Sequence, residues 1–207
     1  MLPDLLPIFP LPNVVLFPDV FLPLHIFEPR YRDMVADALA GERFIGMTLL
    51  RPGWEQEYGG RPPVFPVGCA GLITHADLLP DGRYNIVLRG IQRFRIAGEH
   101  DGRTYRRASV DALSETTGAE HATALRGIRE KLEAMLMPLI DERSSRFPVA
   151  MGDGDLVHAL AQYLDLDALE RQALLERDGL VSRGRGLIEL LEMRLLATKG
   201  PAPRTVH

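Results

Sequence analysis

The sequence predicts an α+β protein, with a β-rich first part over 1–116, a helical second part over 117–199 and a disordered tail at 200–207. Three observations carry this. First, Pro7, Pro10, Pro12, Pro18, Pro23 and Pro29 punctuate a run of bulky apolar residues, PIFPLPNVVLFPDVFLPLHIFEP. A proline lacks the donor that a central ladder strand needs, so short edge strands and sharp corners are expected, as in a small barrel or folded-over sheet. Second, Asp81-Gly82 and Asp101-Gly102 are hairpin signals between runs of strand-forming residues. Third, the polar stretch SETTGAEHAT from Ser114 ends the β pattern, and apolar residues then recur at helical spacing.

The elements follow in chain order. Val14–Phe17 and Phe21-Leu22 suit buried strand faces. Glu28-Pro29-Arg30 opens a helix whose apolar positions are Tyr31, Met34, Val35, Ala38 and Leu39, with Gly41 as its stop. Phe44–Leu50 reads as a buried strand. Arg51–Pro66 is a long loop holding four prolines, three glycines and the aromatics Trp54, Tyr58 and Phe65. Val67–Leu79 is extended, Pro80–Arg83 turns the chain, and Tyr84–Leu88 is a strand with a bulge or corner at Arg89-Gly90. Ile91–Ala97 continues it with Phe94 and Ile96 on one face and Arg93 and Arg95 on the other, and Tyr105–Leu113 is the last strand. The helical part begins with a long helix through Leu125, Ile128, Leu132 and Leu136, its final turns disturbed by Pro138. Asp155 is placed to cap the next helix, and Asp167 with Glu170 has capping-box spacing. A final helix buries Leu180, Leu187, Leu191 and Leu195, with Gly184 and Gly186 weakening its start.

Composition excludes several classes. The net charge of −4 argues against a polycation, and only Lys131 and Lys199 are lysines. The single cysteine, Cys69, rules out an internal disulfide and any multi-cysteine zinc site, and its apolar setting suits an inert buried thiol. No stretch is long and apolar enough to span a bilayer, and the first residues lack a basic signal-peptide flank, so a cytoplasmic location without membrane contact is expected. The six histidines never fall at ligand spacing, and HExxH, P-loop and GxGxxG motifs are absent. There is no Gly-x-Ser-x-Gly elbow, and neither lysine offers a dry Ser–Lys dyad. No catalytic residue, metal or cofactor is expected.

The wording of the first block, PIFPLPNVVLFPDVFLPLHIFEPRYRDMV, resembles the opening of the Lon protease N-terminal domain, also called the Lon substrate-binding domain. The resemblance continues at Arg43–Gly46, at Val67–Ala70 and through LPDGRYNIVLRGIQRFRI over 79–96, and more loosely near Leu169–Leu175. It implies a PUA-like pseudo β-barrel with one helix, followed by and packed against a C-terminal α-helical bundle. Full-length Lon proteases carry a Walker-type ATPase module and a protease domain after this one. A chain of 207 residues is expected to hold neither, so it resembles a stand-alone form whose role would be to engage polypeptides.

Two functional readings follow. The leading one is a noncatalytic protein-binding module for unfolded or degron-bearing polypeptides, with an ATP-dependent protease acting in trans as a further partner. Binding would use a groove between barrel and bundle or strand addition at a sheet edge. The candidate contacts are Trp54, Tyr58 and Phe65 of the long loop, with Met34 and Phe147. The alternative is RNA binding through the seven arginines of 83–107, chiefly Arg89, Arg93, Arg95, Arg106 and Arg107, interleaved with aromatics. Alternating arginines also describe the solvated face of an antiparallel sheet, and the overall acidity disfavours nucleic acid.

Overall fold

The structure is a computed structural model that describes residues 2–57, 60–115, 118–137 and 151–199. Among the described residues, six strands and five helices form in the order β1 (Leu6–Leu11), β2 (Phe21–Ile26), α1 (Pro29–Ala40), β3 (Phe44–Leu49), β4 (Val67–Leu78), β5 (Tyr84–His100), β6 (Arg106–Ala112), α2 (Ala119–Leu136), α3 (Asp153–Tyr163), α4 (Ala168–Glu176) and α5 (Leu180–Lys199). The sheet order is β2-β5-β4-β3-β1-β6, and β5 also pairs with β6. Five strands therefore close on themselves, and β2 hangs on the outside as the edge. This is the α+β architecture with a pseudo-barrel.

Closure depends on β5 changing partners. Its first half, Tyr84–Arg89, pairs with β2, and its second half, Phe94–His100, pairs with β6. At the change the ladder to β4 slips, Gln92 opposing Ala70 and Gly90 opposing Gly71, so Ile91 is the extra residue of a bulge. The slip turns Phe94 toward the barrel interior, where it packs with Leu6, Ile8, Ala70 and Ala108. A second cluster lies on the other side of the sheet, beneath α1, and contains Phe9, Ile26, Tyr31, Met34, Val35, Cys69, Ile86 and Leu88.

The prolines are not confined to the sheet edge as expected. β1, with Pro7 and Pro10, lies between β3 and β6. The register explains why it tolerates them: β6 pairs with Leu6–Ile8 and β3 with Ile8–Leu11. Each proline thus has a neighbour on one side only, so one face of its backbone needs no donor. Val14–Phe17, expected as a strand, is a buried connection without ladder pairing.

The chain divides into two compact units. The first comprises 1–115 together with 158–176, so the end of α3 and all of α4 group with the strands and not with the helical part. Polar contacts within this unit fix them there. Gln172 Nε2 donates to Val67 O at 3.0 Å, Arg93 Nη1 to Leu175 O at 2.9 Å, and the Phe17 amide to Gln162 Oε1 at 3.3 Å. Asp167 and Glu170 form a reciprocal capping box at α4, each backbone N–H to the other's carboxylate at 2.8 Å.

The second unit takes in α2, the first turn of α3 and α5. Gly184 is buried against α2, because a Cβ there would lie 2.8 Å from Ile128 Cγ2. Gly184 permits close helix packing where a weak helix start was expected. Asp155 does not cap α3, whose helical residues begin at Asp153, and it lies in the first turn. Arg129 ties α2 to α3 through Asp153 Oδ1 at 3.2 Å and Met151 O at 2.6 Å. Pro138 and the tail lie outside the described residues.

Candidate functional site

The long loop is pinned at both ends. Leu50 bridges Val64, the Arg51 amide donates to Pro63 O and the Phe65 amide to Leu49 O, both at 2.9 Å. The Arg51 guanidinium lies 5.6 Å from the Phe65 ring centroid, so Phe65 serves the clasp of the loop. Trp54 opens a short 3-10 turn, Trp54–Glu57, and is half-buried. Met34 is fully buried on the inner face of α1, and the reading of it as a contact residue is corrected: helical spacing directs it into the core. Tyr58 and Phe147 lie outside the described residues. Of the three candidates that are described, Met34 thus belongs to the core and Phe65 to the loop's own clasp, which leaves Trp54 half-buried on the loop.

The arginines do not assemble into a cationic face either. Arg93 is 2% exposed and is held by Glu115 and the Leu175 carbonyl, which corrects its place on a solvated face. Arg106 bonds Glu99 and donates to Pro62 O, Arg107 donates to Asp101 O, and Arg89 pairs with Asp19 at 2.7 Å. Arg95 alone of the five is exposed without a carboxylate partner among the described residues.

A surface of a different kind stands on β2. Its burial alternates, with Phe21, Pro23 and His25 exposed and Leu22 and Leu24 half-buried against the core beneath α1. Phe27 continues the exposed set at 61%, Phe21 begins it at 51%, and the His25 and Phe27 rings stack at 6.4 Å. The stripe runs roughly 20 Å at ~3.3 Å per residue. Its register partner Val87 is half-buried, and ion pairs rim it at Arg89–Asp19 and Arg83–Asp81. The Arg83 guanidinium holds the Asp81 carboxyl below its ordinary range, so that end stays ionised.

The backbone of β2 shows how a partner can and cannot use this surface. Val20 O accepts from the Gly90 amide at 2.9 Å, whereas Phe21 O accepts from the Tyr163 hydroxyl at 3.0 Å. Phe21, Pro23 and His25 therefore turn their backbone groups away from β5. Pro23 has no N–H to offer and Phe21 O is already occupied, so the open edge is a poor template for an added strand. What remains available is the face of side chains. In the sequence this surface shows only as aliphatic Leu22, Leu24 and Ile26 alternating with Phe21, Pro23, His25 and Phe27, a run with one polar residue and a proline inside it, so its outward face is not readable as such.

A family model described as the ATP-dependent protease La (LON) substrate-binding domain matches residues 5–193. The chain belongs to this family. Lon protease 2 of Myxococcus xanthus is 29% identical over 201 residues, covering 93% of this chain, and Lon protease 2 of Syntrophobacter fumaroxidans is 30% identical over 181 residues, covering 84%. The Lon-family chain described here spans about a quarter of the length of these relatives, 24% and 22% respectively. The N-terminal domain of a Mycobacterium avium complex Lon protease shares the fold at TM-score 0.69 and 18% identity, over 91% of this chain and 98% of that one. A Lon N-terminal domain protein from Xanthomonas campestris superposes at TM-score 0.59 with 26% identity, over 91% and 97% of the two chains. Among the described residues no helix is long and apolar enough to cross a membrane, and no group of three or more His, Cys, Asp or Glu could hold a metal ion.

Proposed function

We propose that the chain is a noncatalytic polypeptide-binding module that holds exposed apolar segments of unfolded or degron-bearing proteins on the outer face of β2, and that it presents them to an ATP-dependent protease in trans. The observation that carries the reading is the stripe Phe21–Pro23–Phe27, apolar, solvent-facing and rimmed by ion pairs. Family membership supports it, and so does the blunted edge, which leaves side-chain contact as the route of binding. Trp54 is a secondary contact in this proposal.

The test is binding of a labelled, permanently unfolded polypeptide to the whole chain. Replacing Phe21 and Phe27 with serine removes two exposed aromatics and is expected to weaken binding by on the order of 1–4 kcal/mol if they are central contacts. The thermal midpoint should hardly move, because neither ring is in the core. Unchanged affinity in that variant would sink the assignment. Purified protein is also expected not to hydrolyse casein, with or without ATP and magnesium; turnover abolished by one serine substitution would overturn the noncatalytic reading.

A further inference from the structure

The protein is acidic, with a net charge of −4, yet one cavity in its first unit is walled by guanidinium groups. The cavity measures about 230 Å³ and has Arg30, Arg61, Arg103 and Arg106 in its lining, with Tyr31 and Leu50 as apolar wall. Among the described residues no carboxylate belongs to the lining. Each of these arginines has an acid partner: Glu28 at 3.0 Å from Arg30, Asp37 at 3.5 Å from Arg103, Glu99 beside Arg106, and Asp101 beside Arg61. Each guanidinium is thereby held in place by a carboxylate, while the arginine itself stays ionised. An arginine carries five N–H donors, and one carboxylate engages at most two of them, which leaves donors on Arg103 for another anion. Arg61 and Arg103 are also the more open, with side chains 45% and 54% exposed.

Size limits the ligand. At ~30 Å³ per water the cavity has room for about eight waters, enough for one end group and too little for a chain segment. We infer that this cavity receives a carboxylate of a bound polypeptide, either its terminal α-carboxylate or an Asp or Glu side chain. The inference rests on the reading of the chain as a polypeptide-binding module and adds a charge requirement to the apolar stripe. Planar, fork-shaped donors suit a carboxylate, and the Tyr31 and Leu50 walls suit the apolar atoms next to it.

The experiment uses the whole chain and three short capped peptides: one ending in leucine with a free carboxylate, the same peptide as its amide, and an amide with one internal glutamate. Binding is followed through the arginine Nε–H resonances. The free acid, the glutamate peptide or both should shift the Arg61 and Arg103 signals, and whichever does so identifies the source of the carboxylate; the neutral amide should not. R61Q/R103Q should weaken that binding about tenfold or more, as expected for lost hydrogen bonds to a charged group. Arg103→Lys should recover part of the loss and serves alone if the double variant is unstable. Equal binding of acid and amide, or of wild type and both variants, overturns the inference, as does binding of inorganic phosphate with no response to any peptide. If unfolded polypeptide binds wild type and R61Q/R103Q equally, only the carboxylate site fails. If wild type binds no polypeptide at all, the module reading fails and the inference with it.

Discussion

Gly90 has no room for a methyl group: a Cβ there would lie 2.0 Å from Phe17 O, which is backbone and cannot rotate aside. Gly90→Ala is therefore expected to destabilise by ~1–3 kcal/mol or to spoil the junction where β5 changes partners, measured by denaturant unfolding. Tyr105 gives a second test. Its hydroxyl donates to Asp37 Oδ2 at 2.7 Å, and burial, reinforced by that bond, raises its pKa to about 12. The folded state thus holds this proton more tightly than the unfolded chain, whose tyrosine titrates near 10. The stabilisation is complete below pH ~10 and is lost as pH rises toward 12. Tyr105→Phe should cost about 1 kcal/mol at neutral pH and flatten the stability profile between those values; an unchanged slope would contradict the assignment. Such positions show where sequence reasoning reaches its limit at the residue scale. Met34 fell on a helix stripe and its burial was legible. Arg93 alternated like a surface residue, and only the carboxyl end of α4 arriving over it explains its burial.

Among the elements, β2 makes the sharpest prediction. Pro23 turns its donor-less nitrogen outward on the open edge, so Pro23→Val should leave the pairing to β5 intact and supply the missing N–H. The expected result is concentration-dependent self-association by sedimentation velocity, with little change in the monomer's thermal midpoint. A strictly monomeric variant would show that Tyr163 and the neighbouring side chains protect the edge unaided. The capping box of α4 and the Asp-Gly turn with Gly82 at φ 80° were legible because each is a local device that needs no distant partner. β1 was harder to read, since its prolines look like edge residues until β3 and β6 are seen to pair with different halves of it. The site was least legible of all. The loop aromatics had the right composition for binding, yet Phe65 is spent on its own clasp.

At the scale of the molecule, the composition break after Ser114 was visible because it is a change of periodicity along the chain. The return of 158–176 to the strands was not, because an amphipathic helix records that it covers something and not what it covers. The consequence is measurable. A fragment ending at residue 116 loses the Leu175 carbonyl from buried Arg93 and the Gln172 bond to Val67, and should be less stable than the first unit with its helices by on the order of 3 kcal/mol. Much β structure should survive in its circular dichroism spectrum. A peptide spanning 156–177 added in trans should raise the fragment's thermal midpoint, and failure to do so would argue that those helices are not part of the first unit's stability.

The closure of the barrel also has a cost in time. Leu6 pairs with Ala108, 102 residues later in the chain. At roughly 5–20 residues per second of synthesis, β1 waits about 5–20 seconds for the strand that completes it. During that interval the β6 side of Leu6–Ile8 faces a crowded solution containing other nascent copies of the same apolar segment. Pro10, whose donor-less nitrogen lies on the side away from β3, leaves a gap in the row of donors there and makes the waiting strand a poor seed for amyloid-like stacking.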